Sequence, residues 1–161
     1  MVEMDAAGVF VNDALRLMLV IADAEESGDD QPVNFLADAH AARIRGDDRS
    51  SRELLELLSN SYTGTAVEAE ALLMLGAAAT VADEPRRAIS YYERIVKSTE
   101  AITARAEAMM RTGDLLSVKM GRAGEAMEVY LAILEDLPPN ILSGEARRKL
   151  DSLRRQEGAL E

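Results

Sequence analysis

The sequence predicts an all-α protein, an α-α superhelix of about eight short helices, and three observations carry that prediction. Ala, Leu, Glu and Arg abound, aromatics make up only 4% of the 161 residues and tryptophan is absent. These are helix formers, and β-branched runs are scarce. Glycines, prolines and capping residues divide the chain at short intervals into segments of helical length. Finally, PRRAISYYERI at 85–95 and AGEAMEVYLAI at 123–133 share one spacing, giving Ala88/Tyr92/Ile95 and Ala126/Tyr130/Ile133.

The elements follow in order. A first helix covers residues 5–26 and stops at Ser27-Gly28-Asp29-Asp30. A second starts near Pro32, which suits a first helical turn, and ends at Gly46. Asp47, Asp48 or Ser50 caps the third, where Ser50-Ser51-Arg52-Glu53 has the form of a capping box. Residues 60–64 form a loop, and Thr65-Ala66-Val67-Glu68 opens the fourth helix with a second box. Asp83-Glu84-Pro85 breaks the chain and starts the fifth. Thr99 caps the sixth, which Gly121 ends; the seventh runs to Pro138-Pro139, and the eighth covers 141–156.

The shared spacing extends beyond the triplets. Leu72-x2-Leu75-Gly76 precedes Ala88-x3-Tyr92, and Met109-x2-Thr112-Gly113 precedes Ala126-x3-Tyr130 and then Pro138. This pattern resembles the tetratricopeptide repeat, W-x2-L-G-x2-Y…A-x3-F…P, on a helix–turn–helix unit. Small residues sit where two helices cross closely, an aromatic fills the wedge between them, and proline ends the second helix. Two departures stand out. Gly76 to Gly113 is 37 residues and Ala88 to Ala126 is 38, against about 34 in the common repeat. Glu100 stands where the first unit would have proline, and both units lack the tryptophan. The extra residues are expected between units and in the turn around 121–124.

Shifting back by 37 residues gives a degenerate unit at 32–64. Phe35 then falls on the tryptophan position, Ala39 on the glycine, and Ser51/Leu55/Leu58 on the second-helix triplet. The resulting organisation is a single helical-repeat domain: an N-terminal apolar helix at 1–31, repeats at 32–64, 65–102 and 103–139, and a C-terminal capping helix at 140–161. About three units with modified ends suffice for a repeat stack to bury a continuous core. The long repeats, the Pro-Pro stop and the closing Ser-Gly-Glu-Ala-Arg-Arg-Lys-Leu helix also resemble tetratricopeptide proteins of the bacterial cell envelope.

Charge and composition exclude several functions. The net charge is −11, of which residues 1–31 carry −7; such a surface repels nucleic-acid phosphates and anionic membranes. There is no cysteine, hence no thiolate nucleophile and no thiolate zinc site. His40 is the only histidine, so two-histidine catalysis and multi-histidine metal sites are out of reach. No nucleophile elbow, phosphate loop or dinucleotide turn is present. Asp29-Asp30 and Asp47-Asp48 lack the alternating ligands and central glycine of a calcium loop and suit helix capping. We therefore expect no enzyme activity, no cofactor and no metal. The longest charge-free stretch, 71–82, is too short to span a bilayer, and the N-terminus lacks the basic flank of a secretory signal. A soluble protein is expected, with cytoplasm and periplasm both open.

The resemblance implies a protein-interaction or scaffold role, with a peptide or protein partner in a concave groove lined by the first helix of each unit. Carried over, the groove positions are Leu36, His40 and Arg43; Leu73, Ala77 and Thr80; and Met110, Asp114 and Ser117. Each set is spaced i, i+4, i+7 and forms one stripe. Leu36, Leu73 and Met110 would make the apolar floor, with His40 and Arg43 as polar contacts suited to an acidic segment. The lysine/asparagine clamp of the chaperone-binding members cannot be built from Leu36/His40 or Leu73/Ala77.

A purely structural self-associating module and a helical small-molecule or lipid sensor are the alternative functions. On the first helix, Asn12, Asp13, Arg16 and Asp23 gather on a narrow polar arc, and apolar residues cover the wider remainder. One repeat face cannot cover so broad an apolar surface. The expectation is a homodimer or partner-docking site on Phe10, Ala14, Leu15, Leu17, Met18 and Ile21.

Overall fold

The computed structural model describes the backbone of residues 6–158 and the side chains of residues 15–156. Eight α-helices follow one another: α1 (Ala6–Ser27), α2 (Gln31–Ile44), α3 (Asp48–Ser61), α4 (Ala66–Val81), α5 (Pro85–Ser98), α6 (Ile102–Asp114), α7 (Ala123–Glu135) and α8 (Ser143–Gly158). A π-helical turn, Leu115–Lys119, continues α6. Among the described residues there is no strand. From α2 onward each helix packs mainly on its neighbours in sequence, so the chain is an α-α superhelix of hairpins α2/α3, α4/α5 and α6/α7, closed by α8 on α7.

Three of the expected helix starts resolve differently. The cap of α3 is Asp47, whose carboxylate accepts from the Ser50 N–H at 3.1 Å. Ser50 and Ser51 are therefore inside the helix, and Glu53 is drawn to Arg49 at 2.9 Å instead of reaching back as in a capping box. Thr65 does cap α4, accepting from the Glu68 N–H at 3.3 Å, but the Glu68 carboxylate passes over Thr65 to take the Gly64 N–H at 2.7 Å. Thr99 belongs to the end of α5; α6 starts after Ala101, whose N–H donates to the Thr99 hydroxyl at 3.1 Å.

The hairpins turn alike. Arg45-Gly46-Asp47, Ala82-Asp83-Glu84 and Met120-Gly121-Arg122 each separate two helices with a central residue in the left-handed region, at φ 78, 58 and 65°. The first two close in the same way: Asp47 N–H donates to Ala42 O and Glu84 N–H to Ala79 O, both at 2.9 Å. Gly46 N–H to Arg43 O and Asp83 N–H to Thr80 O complete the paired bonds that satisfy a helix's last carbonyls. In the third hairpin the bond runs one residue further, from Arg122 N–H to Leu116 O at 2.8 Å. The extra residue of that unit thus lies in the π-helical turn, where a single insertion is accommodated inside a helix. The turn around 121–124 does not hold it.

Inside each hairpin the repeat spacing becomes contact. Ala88, Tyr92 and Ile95 are fully buried, as are Ala126, Tyr130 and Ile133. A Cβ added to Gly76 would stand 2.3 Å from Tyr92 Cε1, and one added to Gly113 would stand 2.5 Å from Tyr130 Cε1. The ring therefore occupies the space that only a glycine leaves open. In the first hairpin Ala39, Ser51, Leu55 and Leu58 are buried in the corresponding places. Ala39 has a Cβ, and the triplet has Leu55 where the others have Tyr.

Helix α4 is the hub. Residues 67–76 are buried without interruption, so this helix has no solvent face over that length. Its neighbours are α3, α5, α2, α6 and α1. An apolar helix buried all round needs cover on every side, and α1 supplies the cover that the hairpins leave off.

Candidate protein-interaction site

Helix α1 lies over the first helices of the hairpins, touching α4 most, then α2 and α6. These are the helices whose inward stripes form the expected groove, so the chain lays its own N-terminal helix there. The face it turns inward is the polar arc. Arg16 is buried, with its Nε donating to Glu70 Oε2 at 2.9 Å and its Nη1 3.9 Å from Glu107 Oε2. Asp23 accepts the Ala66 N–H at 3.1 Å, capping the N-terminus of α4 from outside. Val20 and Ala24 fill the space between these polar anchors and are 2% and 4% exposed.

The physical reason is charge. Glu70 on α4 is buried and needs a cation, while Glu107 on α6 already holds Arg111 at 2.7 Å. Arg16 meets both, and the remainder of α1 is rotated accordingly. Hence Leu15, Leu17, Met18, Leu19 and Ile21 point away from the stack and are 40, 45, 64, 42 and 48% exposed. The sequence reading assigned the polar arc no partner; in the structure Arg16 and Asp23 of that arc face the stack. Of the expected face, Phe10 and Ala14 lie outside the described side chains.

The nine groove positions separate into three groups. Leu36, Leu73 and Met110 are core residues, not an open floor: each is 5% exposed or less. Thr80, Asp114 and Ser117 are half-buried and engaged within the protein. Thr80 Oγ1 donates to Gly76 O at 2.8 Å and Ser117 Oγ to Asp114 O at 3.3 Å. Asp114 Oδ1 accepts from the Tyr130 hydroxyl at 2.6 Å and from Lys149 of α8, which also reaches Glu145 at 3.2 Å. Burial and this bond to Asp114 hold the Tyr130 phenol above its ordinary value, so it stays a neutral donor. His40, Arg43 and Ala77 remain within reach of solvent at the far end. Burial and the adjacent Arg43 lower the His40 pKa, against an opposing pull from Glu70. Arg43 Nη2 approaches His40 Nδ1 at 3.4 Å; a neutral ring accepts there.

A second buried carboxylate ties the hairpins together. Glu68, fully buried, receives Arg94 Nε at 3.1 Å, and Arg94 Nη2 also donates to Ser59 O at 2.5 Å. One guanidinium thus joins α3, α4 and α5. The sequence held a signal for this: Glu68 and Glu70 are the only charges in the apolar segment 66–81. Two residues apart, they serve opposite sides of α4, one toward Arg94 and one toward Arg16.

Among the described residues no group of three metal-ligating side chains comes together, and no helix is long and apolar enough to cross a membrane. The chain matches no protein-family model and no curated protein.

Proposed function

We propose that this chain is a non-enzymatic interaction module of the tetratricopeptide-like kind, joining protein chains through the outward face of α1. The observation that carries this reading is the set of five large apolar side chains exposed together on one helix. A contiguous apolar surface of this sort is characteristic of an interaction site on an otherwise polar monomer. Beneath it, Arg16 on Glu70 and Asp23 on the Ala66 N–H anchor the helix to α4.

A second copy of the chain is the occupant that fits best. Isologous pairing of identical surfaces is the commonest solution for soluble chains. Two α1 helices pairing antiparallel about Met18 would bring Leu15 and Ile21 of each into apposition. That arrangement sets the acidic ends, with Glu25, Glu26, Asp29 and Asp30, at opposite sides of the pair. With −7 in residues 1–31 of each chain, added salt should strengthen association, because it screens like charges. The test is sedimentation of the parent and of Met18→Glu and Ile21→Glu across a concentration series. Dimer in the parent and folded monomer in both variants supports the reading. A parent that stays monomeric at high concentration, with variants indistinguishable from it, removes it.

A further inference from the structure

Beyond the reach of α1 the groove stays open, and there α2, α3 and α4 enclose a cavity of about 300 Å³. Its floor is apolar, formed by Leu55, Met74 and Leu75 from the core, with Ala78 and Val81 at the rim. Arg43 and Arg52 stand at the mouth. Both are exposed, and among the described residues neither makes an ion pair, although acids outnumber bases in this chain by 29 to 18. Arg45, Arg86, Arg147, Arg148, Arg154 and Arg155 also lack an ion pair among the described residues; what sets Arg43 and Arg52 apart is that both line one cavity with an apolar floor. Among the described residues the Arg43 guanidinium approaches His40 Nδ1 at 3.4 Å, which does not neutralise it.

We infer that this cavity is a binding site for a short aliphatic carboxylate, with the chain on the Leu55/Met74/Leu75 floor and the carboxylate between Arg43 and Arg52. The guanidinium is a planar fork of donors that matches a carboxylate's two oxygens. Ser51, itself only 4% exposed and on the cavity wall, adds a hydroxyl that can donate to the same group. Asp48 is also at the rim. It repels a second negative charge, so a monoanion is favoured over phosphate or a dicarboxylate. The volume lies at the lower end of the range for small-molecule sites. The site is separate from the α1 face and does not depend on self-association.

The test uses the full chain carrying ¹³C-methyl methionine, with the Met74 methyl signal as a reporter inside the cavity. Titration with hexanoate should move that signal saturably. Hexanol, with the same chain and no charge, should bind at least fivefold more weakly, and inorganic phosphate should leave Met74 unmoved. Arg43→Gln with Arg52→Gln should weaken hexanoate at least tenfold. Both side chains are exposed, and an unchanged helical spectrum checks that the variant folds. A tetrapeptide ending in a free leucine carboxylate, compared with its amide, separates the two sources of this chemistry. Tighter, arginine-dependent binding of the free-acid peptide supports the site and assigns it to a chain end. A Met74 signal that ignores hexanoate overturns the proposal, as does equal binding of hexanol or full affinity in the double variant.

Discussion

The ring of Tyr92 rests on the backbone of Gly76, so close that a Cβ there would lie 2.3 Å from Cε1 and 2.5 Å from Cζ. Tyr92 is 1% exposed and has no room to swing aside. Gly76→Ala should therefore destabilise despite gaining about 1 kcal/mol of helix propensity, because overpacking a filled crossing costs about 1–3 kcal/mol. Denaturant melting of Gly76→Ala, Tyr92→Leu and the double variant checks this. The double variant should be more stable than the sum of the single losses implies. The same experiment at Gly113 and Tyr130 should give the same sign.

Ala126 is fully exposed to its packing neighbours and 0% exposed to solvent. Ala126→Phe should lower stability by about 1–3 kcal/mol through overpacking. A melt like the parent's would mean that the α6/α7 crossing is looser than its burial indicates.

Arg94→Ala strips the buried Glu68 of its cation and leaves the Ser59 carbonyl without its donor. Breaking one side of a buried pair costs about 3–5 kcal/mol. Since Arg94 is itself 38% exposed, water will restore part of that loss, and about 2–3 kcal/mol is expected. Pairing Arg94→Met with Glu68→Leu should recover only part of it in chemical denaturation, because the Gly64 N–H and the Ser59 carbonyl stay without their partners.

Arg16→Met leaves Glu70 buried under α1 without the bond at 2.9 Å. The expected result is local: amide exchange in α1 accelerates by tenfold or more, while α3, α4 and α5 stay protected. Equal acceleration throughout would show that α1 and the stack unfold as one unit.

Asp83 holds the left-handed turn position that Gly46 and Gly121 hold in the other hairpins, at φ 58°. Asp83→Val should cost about 1–2 kcal/mol, because a β-branched residue is poorly tolerated there. Loss of the Lys119 contact at 2.9 Å adds little, both groups being well exposed. Comparing Asp83→Gly with Asp83→Val separates the backbone effect from the charge.

The hairpins were legible because their signals are local. Gly46, Pro85 and Gly121 mark turns by backbone chemistry alone, and the Ala-x3-Tyr-x2-Ile triplets mark packing by helical spacing. For α1, the helical wheel put Leu15, Leu17, Met18 and Ile21 on a docking face, and these residues are exposed; it gave the polar arc no partner. What engages that arc is the buried Glu70 of α4, which meets Arg16 at 2.9 Å only once the helices have packed. The floor of the expected groove failed for the same reason. Leu36, Leu73 and Met110 were placed on the right face of the right helices, but other side chains had already covered them. Arg43 and Ala77, two of the expected groove positions, line the cavity between α2, α3 and α4; Arg52 and Met74, on other stripes, had no periodic signal linking them to it.

The π turn at Leu115–Lys119 lets the stack keep time in space while losing count along the chain. An added residue in the hairpin turn would re-aim the helix that follows. Taken up one turn earlier, it passes α7 on in unchanged register, with Ala126, Tyr130 and Ile133 as deeply buried as Ala88, Tyr92 and Ile95. Two hairpins of unequal length are thus spatially interchangeable. A ruler of fixed length laid along the residues slips out of step at Leu115, where the architecture does not.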